Sequence, residues 1–241
     1  MDNQQATQTK KCVSTLFAAM LSALFCAQTV LAIEADWESK RLEDGIEVLT
    51  GNVEGSAFKA VRSVTTMVAP MAQLVAIIRD TANCSDLSEL CKEAYAHKVV
   101  SETQLYIYNY NDLPWPVTDR DAMTHVVWSR DASTGTVRMK ATVVGDIIPP
   151  KKKTIRLTYG ETVWILTPQD STTIKIVSES HIDPQGSVPA WITNKLLLDA
   201  PFDTLQNLRK LAASDRHATA TFEFLSAKTP PLENSASAEI N

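Results

Sequence analysis

The chain has 241 residues and a formal net charge of −5 at pH 7. That length suits one domain with a sizeable core, and the acidic balance excludes the basic surplus of a general nucleic-acid binder. Its seven glycines fall in no G-x-G-x-x-G or G-x-x-x-x-G-K-S/T spacing, which excludes a glycine-rich phosphate cradle.

Lys10 and Lys11 precede an uncharged run from Cys12 to Ala32. The run closes on Val30-Leu31-Ala32, with small or modest side chains where a signal peptidase reads. Residues 1–32 are therefore expected to be a cleaved signal peptide, and the protein to be exported, periplasmic or secreted. The competing reading is an uncleaved anchor, since ~20 apolar residues can span a bilayer; Ser, Thr, Gln and several Ala dilute this run. Bulky Phe25 before Cys26 makes a poor lipoprotein site. Cys12 and Cys26 leave with the signal. Cys84 and Cys91 remain, an even pair in an oxidising compartment, and a disulfide between them is expected at a helix–helix junction. Two reduced cysteines on one helix face is the alternative.

The mature domain is expected over residues 33–225. "WESKRLEDGIEVLTGNV" reads as a hairpin turning at Asp44-Gly45, and "SAFKAVRSVTTMV" as a further strand. After Pro70 the period becomes helical, with Met71, Leu74, Ile77 and Ile78 on one face. A second short helical stretch is expected at about 85–94. From His97 onward strand patterns return in series, with turns at Asp131–Gly135 and Tyr159-Gly160, which implies one antiparallel sheet. Ser187 and Pro189 then open a helix of about six turns, with Leu198, Phe202, Leu205, Leu208 and Ala212 in one stripe and a kink at Pro201. The polar, Pro- and Ser-rich residues 226–241 form a disordered tail.

The long helix is the one element able to cover the sheet's face. Between them lies either packed core or a cavity, and the rings of Tyr106, Tyr108, Tyr110, Trp128 and Trp164 suit either. Arrangements for catalysis are poor. His97, His125, His181 and His217 have no ligand-spaced neighbours, and the two remaining cysteines are not C-x-x-C, so neither a metal nor another cofactor is expected. No G-x-S-x-G occurs. Asp119 and Asp121 flank Arg120, which suggests salt bridging.

At "DLPWPVTDRDAMTHV" the chain resembles the START family of lipid-transfer domains, whose signature is filled by Pro114, Trp115, Pro116, Val117, Arg120 and Asp121. "GIEVLTG", "GDIIPPKKKTIRLTYGETVWILTP" and "HIDPQGSVPAWITNKLLLDAPFDTLQNLRK" resemble further family segments, with Gln185 in place of a glycine. The resemblance runs from about Trp37 to about Lys210 and implies an α+β helix-grip fold, a curved antiparallel sheet wrapped around the last helix with a hydrophobic cavity inside. It implies binding of one hydrophobic molecule without chemistry. The prolines, Arg120 and the aspartates are then structural, and Trp115 plugs the end of the sheet. Val126 stands where sterol binders of the family place a buried arginine, so sterol specificity does not carry over.

The expected ligand-binding residues are Tyr108, Val126, Trp128 and Trp164 on strands and Leu198, Phe202 and Leu205 on the helix. Ile147, Ile148, Lys151, Lys152 and Lys153 form a candidate membrane-contact loop, each lysine contributing about 1 kcal/mol near an anionic surface. A solvated lysine run beside two packed isoleucines is the competing reading. The expected partners are a hydrophobic small molecule or lipid and, transiently, a membrane surface, with no nucleic acid; the protein is expected to be a monomer. Two other functions remain open: a polyketide cyclase or aromatase using a cavity-facing His125 or His181, and a ligand-gated sensor without transfer activity.

Overall fold

The computed structural model describes residues 32–145 and 147–226. The expected signal peptide, as far as Leu31, and the tail from residue 227 lie outside the described residues.

β1 (Asp36–Glu43) and β2 (Ile46–Asn52) form the expected hairpin. Asp44 and Gly45 both take positive φ, 50° and 69°, which matches a two-residue turn to the twist of its strands. β3 (Lys59–Val68) pairs antiparallel with β2. The period then changes, and α1 (Met71–Arg79) buries Leu74, Val75 and Ile77.

The next segment departs from expectation. α2 is one turn, Cys84–Leu87, and β4 (Cys91–Val99) begins where a helix was expected. The Cys84–Cys91 disulfide joins that turn to the start of a strand rather than two helices. "CKEAYAHKV" has good helix formers, but pairing with β5 (Gln104–Asn111) along the sheet edge overrides local propensity.

β6 (Arg120–Arg130) and β7 (Val137–Val143) form a hairpin at the expected turn. There the Asp131 carboxylate accepts the backbone N–H groups of Ser133 and Thr134 at 2.7 and 3.1 Å. β8 (Ile155–Arg156) has only two residues and pairs in parallel with β6, so no hairpin joins it to β9 (Gly160–Pro168) across Tyr159-Gly160. β10 (Thr173–Ile182) pairs with both β9 and β3 and so unites the two halves of the sheet. Apart from β8, the strand order is β1-β2-β3-β10-β9-β7-β6-β5-β4.

The last long helix is α3 (Ala190–Asn194), a π-helical turn (Lys195–Asp199) and α4 (Ala200–Ala213) in succession. The irregularity expected at Pro201 falls one turn earlier. Pro201 sits in the first turn of α4, where its missing N–H is tolerated, and the wider π turn absorbs the altered bonding before it. The stripe of Phe202, Leu205 and Leu208 packs into a core with Leu74 and Val75 of α1 and with Val48, Trp128, Leu166 and Ile176 of the sheet. Buried Gln73 of α1 directs its amide at the carbonyls of Ala212, Ser214 and Arg216, 3.0–3.2 Å away, and satisfies the end of α4. A short α5 (Glu223–Ser226) lays Phe224 against Trp128. The architecture is an α+β helix-grip fold.

Candidate ligand-binding cavity

Residues directly opposed across neighbouring strands point to the same side of a sheet. Two rows on the side facing the helix are decisive. One runs Trp128, Met139, Trp164, Ser178, Ser63, Val48, and the next Val126, Ala141, Thr162, Ser180, Val61, Thr50. The ends of these rows belong to packed core, where Trp128, Met139, Val126 and Val48 are buried. Their middle is hollow. Val61, Ser63, Thr162, Trp164, Ser178 and Ser180 line a cavity of about 600 Å³, within the range of small-molecule sites.

Along β10 the inward residues are Ile174, Ile176, Ser178, Ser180 and Ile182. Ile174 and Ile176 are core, and Ser178, Ser180 and Ile182 face the cavity. The hydroxyls are neighbours: Ser178 opposes Ser63, and Ser180 and Thr162 are hydrogen-bonded at 3.0 Å.

The helix supplies Thr193, Leu196, Leu197, Ala200, Pro201 and Thr204 to the opposite wall. That row is one residue out of step with the core stripe of Leu198, Phe202 and Leu205. Ser88 and Leu90, inside the disulfide-closed loop, form a third side.

Arg120 also reaches the lining from the start of β6. Its guanidinium donates to the carbonyls of Pro184 at 2.9 Å, Gln185 at 2.8 Å and Thr118. Burial pulls its pKa down, and the nearby Asp119 charge partly offsets this. Gln185 and Gly186 beyond it both take positive φ, 52° and 71°. Gln185, standing where the family pattern has glycine, therefore carries a left-handed strain of about 1–2 kcal/mol. Its backbone N–H bonds Asp183 at 2.8 Å and its side chain reaches Thr158.

The START domain profile matches residues 25–218. The chain belongs to the START domain family. An uncharacterized protein of Pseudomonas aeruginosa is 33% identical over 181 residues, which cover 75% of this chain and 89% of that relative. The crystal structure of a STAR-related lipid transfer protein from Xanthomonas axonopodis superposes with a TM-score of 0.67 at 28% identity, over 74% of this chain and 99% of that one. Human StAR-related lipid transfer protein 5 shares the fold, with a TM-score of 0.65 at 17% identity over 73% of this chain and 86% of that one.

Within this START domain, the seven expected ligand-binding residues separate. Trp164 lines the cavity. Val126 and Trp128 face the helix side but lie in packed core with Phe202 and Leu205, and Leu198 packs against that core. Tyr108 is on the other side of the sheet, since the inward residues of β5 are the odd ones, Leu105, Ile107 and Asn111; a one-residue error of parity reverses every side chain on a strand. The helical stripe marks how α4 seats on the sheet, whereas the cavity-facing row is smaller and more polar.

The family signature divides between the two faces. Asp121 is fully buried on the outer face, where Arg156 donates to both its oxygens at 2.9 Å. The Lys151 backbone N–H and the Tyr108 hydroxyl also donate to it, at 2.9 and 3.2 Å. Burial pushes this carboxyl's pKa up, but the Arg156 guanidinium and those donors outweigh it and hold the pKa below the ordinary value. Burial, together with the Asp121 charge, raises the Tyr108 pKa. Arg120 bonds carbonyls, and Asp121 forms its ion pair with Arg156, so the expected salt bridge within Asp119-Arg120-Asp121 is replaced by a longer-range one.

Pro114 and Pro116 shape a turn closed by Val117 N–H on the Pro114 carbonyl at 3.1 Å. Trp115 stands at its tip, 89% exposed, and plugs nothing; Leu113 turns inward to line the cavity. Of the membrane-contact candidates, Lys152 and Lys153 are exposed and Ile147 is 39% exposed. Ile148 is half-buried, its carbonyl held by Arg156 at 2.9 Å. Lys151 is engaged with Glu93 at 2.6 Å and lies 4.0 Å from the centre of the Tyr110 ring.

Neither histidine considered for chemistry lines this cavity. His125 stacks on Tyr106 and bonds Gln104 at 2.8 Å, with its pKa lowered by burial. His181 bonds Ser56 at 2.9 Å and Tyr159 at 3.3 Å.

Proposed function

We propose that this START domain binds one amphipathic, lipid-like molecule in its cavity and carries it unchanged through an aqueous space outside the cytoplasm. The observation that carries this reading is the switch from Ile174 and Ile176 to Ser178 and Ser180 along the inward side of β10. A row that only filled core would stay apolar. Here it gives way to Ser178 and Ser180, which with Ser63 and Thr162 put hydroxyls on the sheet wall of a mostly apolar hollow, while the Thr193 and Thr204 hydroxyls across from them bond their own helix carbonyls. The apolar part of the ligand lies against Trp164, Leu90, Leu196 and Leu197, and its polar group bonds Ser63, Ser178 and Ser180. Arg120 and Lys59 bring positive charge to the lining, and the Arg120 guanidinium is already held by the carbonyls of Pro184, Gln185 and Thr118.

Export is supported by the Cys84–Cys91 disulfide, which belongs to oxidising compartments. Among the described residues no helix is long and apolar enough to cross a membrane. The carrier meets membranes as a monomer, through Ile147, Lys152 and Lys153 together with exposed Trp115, which lies two residues from the lining Leu113. An indole at the surface suits the interfacial layer of a bilayer.

Native mass spectrometry of protein recovered from its own cell envelope tests the reading. The expected result is a species heavier than the polypeptide, with the excess mass extractable into organic solvent, and movement of a fluorescent phospholipid between vesicles on adding the protein. Protein that carries no apolar molecule, and takes none from vesicles, overturns the proposal. Bound ligand without transfer points to storage or sensing instead.

A further inference from the structure

Glu179 lies on the outer side of β10 and retains 1% of its exposure. The chain entering β1 covers it. Gly51 opposes Trp37, and a Cβ on Gly51 would lie 2.8 Å from Cβ of Ala35 and 3.2 Å from the Trp37 ring, so the side chains of Ala35 and Trp37 lie over the outer side of β2. The Arg62 guanidinium sits 4.1 Å from the Trp37 ring and gives its Nε–H to Glu179 Oε1 at 2.7 Å. The second oxygen, Oε2, is met at 2.7 Å by the backbone nitrogen of Ile33.

Ile33 is the residue after the Val30-Leu31-Ala32 close of the apolar leader. We propose that the Ala32–Ile33 bond is the processing site, and that the α-ammonium released there docks on buried Glu179 as a built-in ion pair. The inference rests on the export reading above. A leader peptidase adds one water across the bond: the carboxylate departs with Ala32, and the Ile33 nitrogen becomes a primary amine that takes up a proton near neutral pH. In the precursor that nitrogen has a single neutral N–H to offer Oε2. After cleavage the same contact joins two full charges, and charge-assisted hydrogen bonds are roughly twice as strong as neutral ones.

The register is strict. A cut one residue to either side moves the amine by about 3.5 Å along an extended chain, out of reach of Oε2. Processing therefore ties the chain start to the outer side of β3 and β10, whose inner sides carry Val61, Ser63, Ser178 and Ser180 of the cavity wall.

Two measurements test this. Intact mass and N-terminal sequencing of the full gene product recovered from the envelope should give a chain beginning at Ile33. Material released from a fusion cut directly before Ile33 is then compared with the same chain extended by one glycine, each with and without Glu179→Gln. The extension should lower the thermal midpoint by about 3–6 °C with Glu179 present and by under about 1 °C in the Glu179→Gln background, because only the former loses an ion pair. If Glu179→Gln does not fold, acylation of the α-amine at neutral pH serves instead. It should run at least about tenfold slower in the chain beginning at Ile33 than in the glycine-extended one, as the docked amine is covered and protonated. Equal midpoint losses in both backgrounds, or equal acylation rates, overturn the ion pair. A leader removed at another bond overturns the site and leaves export standing; a chain that keeps residues 1–32 in the membrane overturns both.

Discussion

Arg120 and Asp121 are adjacent in the chain and face opposite sides of the sheet. Arg120 reaches the cavity side and binds the carbonyls of Pro184 and Gln185, the approach to the last helix. Asp121 points outward and takes Arg156, which also holds the Ile148 carbonyl. One dipeptide at the start of β6 thus anchors both the segment leading into α3 and the loop between β7 and β9. A rigid, charged entrance to this strand makes physical sense, because two connections depend on its register.

Removing one member of the outer pair should be severe. Asp121→Asn leaves the Arg156 guanidinium buried without its counter-charge, and the expected loss is about 3–5 kcal/mol. Urea unfolding measures it. A loss below about 1 kcal/mol would show the pair to be no more than a surface-like contact.

The same pair sets an acid dependence. The folded pKa of Asp121 lies below its unfolded value of about 3.9. The native state therefore binds fewer protons, and this stabilisation is complete above that unfolded value. It is lost as pH falls through the lower folded value. The stability gap between the parent and Asp121→Asn should accordingly be constant near neutral pH and narrow below about pH 4. A gap that stays level down to about pH 2, in chemical denaturation at each pH, would assign the effect to shape rather than charge.

Ser178 and Phe202 separate binding from stability. Phe202 retains 2% of its exposure, with Arg41 stacked 3.5 Å from its ring centre. Phe202→Ala should cost about 3–5 kcal/mol while the folded fraction still takes up ligand. Ser178→Leu, which intrudes on the hollow and deletes a hydroxyl, should lower ligand uptake at least about tenfold with a midpoint shift of only a few degrees. Equal uptake by Ser178→Leu would remove the serine wall from the binding site.

The disulfide encloses Ser88 and Leu90 of the cavity wall. Replacing both cysteines by serine should destabilise the domain by about 2–3 kcal/mol, the loop-closure value for so short a loop. Ligand off-rates should also rise, since one wall loses its tether. Unchanged off-rates in a competition assay would show that the loop holds its place without the bond.

Element order in this protein is written in local signals. Asp44-Gly45 turns a hairpin, Pro70 opens a helix and the Asp131–Gly135 segment turns another, each through the backbone angles or hydrogen bonds of a few neighbouring residues. The START signature added the sheet's grip on the last helix. Two elements resisted this reading. β4 is built from helix-favouring residues and becomes a strand through pairing with β5, and β8 exists only through two parallel partners on β6.

The cavity was less legible. Apolar periodicity along 198–212 marks the side of the helix that touches most, and that side is core. The hollow lies one row away, beside Thr193, Leu197, Ala200, Pro201 and Thr204, where most side chains are smaller and only the threonines are polar. Local chemistry by itself determined the turns at Asp44-Gly45 and Asp131–Gly135, the helix stripe and the family. Only the tertiary structure decided which side of β5 faces inward, where Ile176 gives way to Ser178 as wall rather than filling, and that Ile33 meets Glu179. Those are distances between segments up to 146 residues apart, and side-chain type along a chain carries no measure of separation in space.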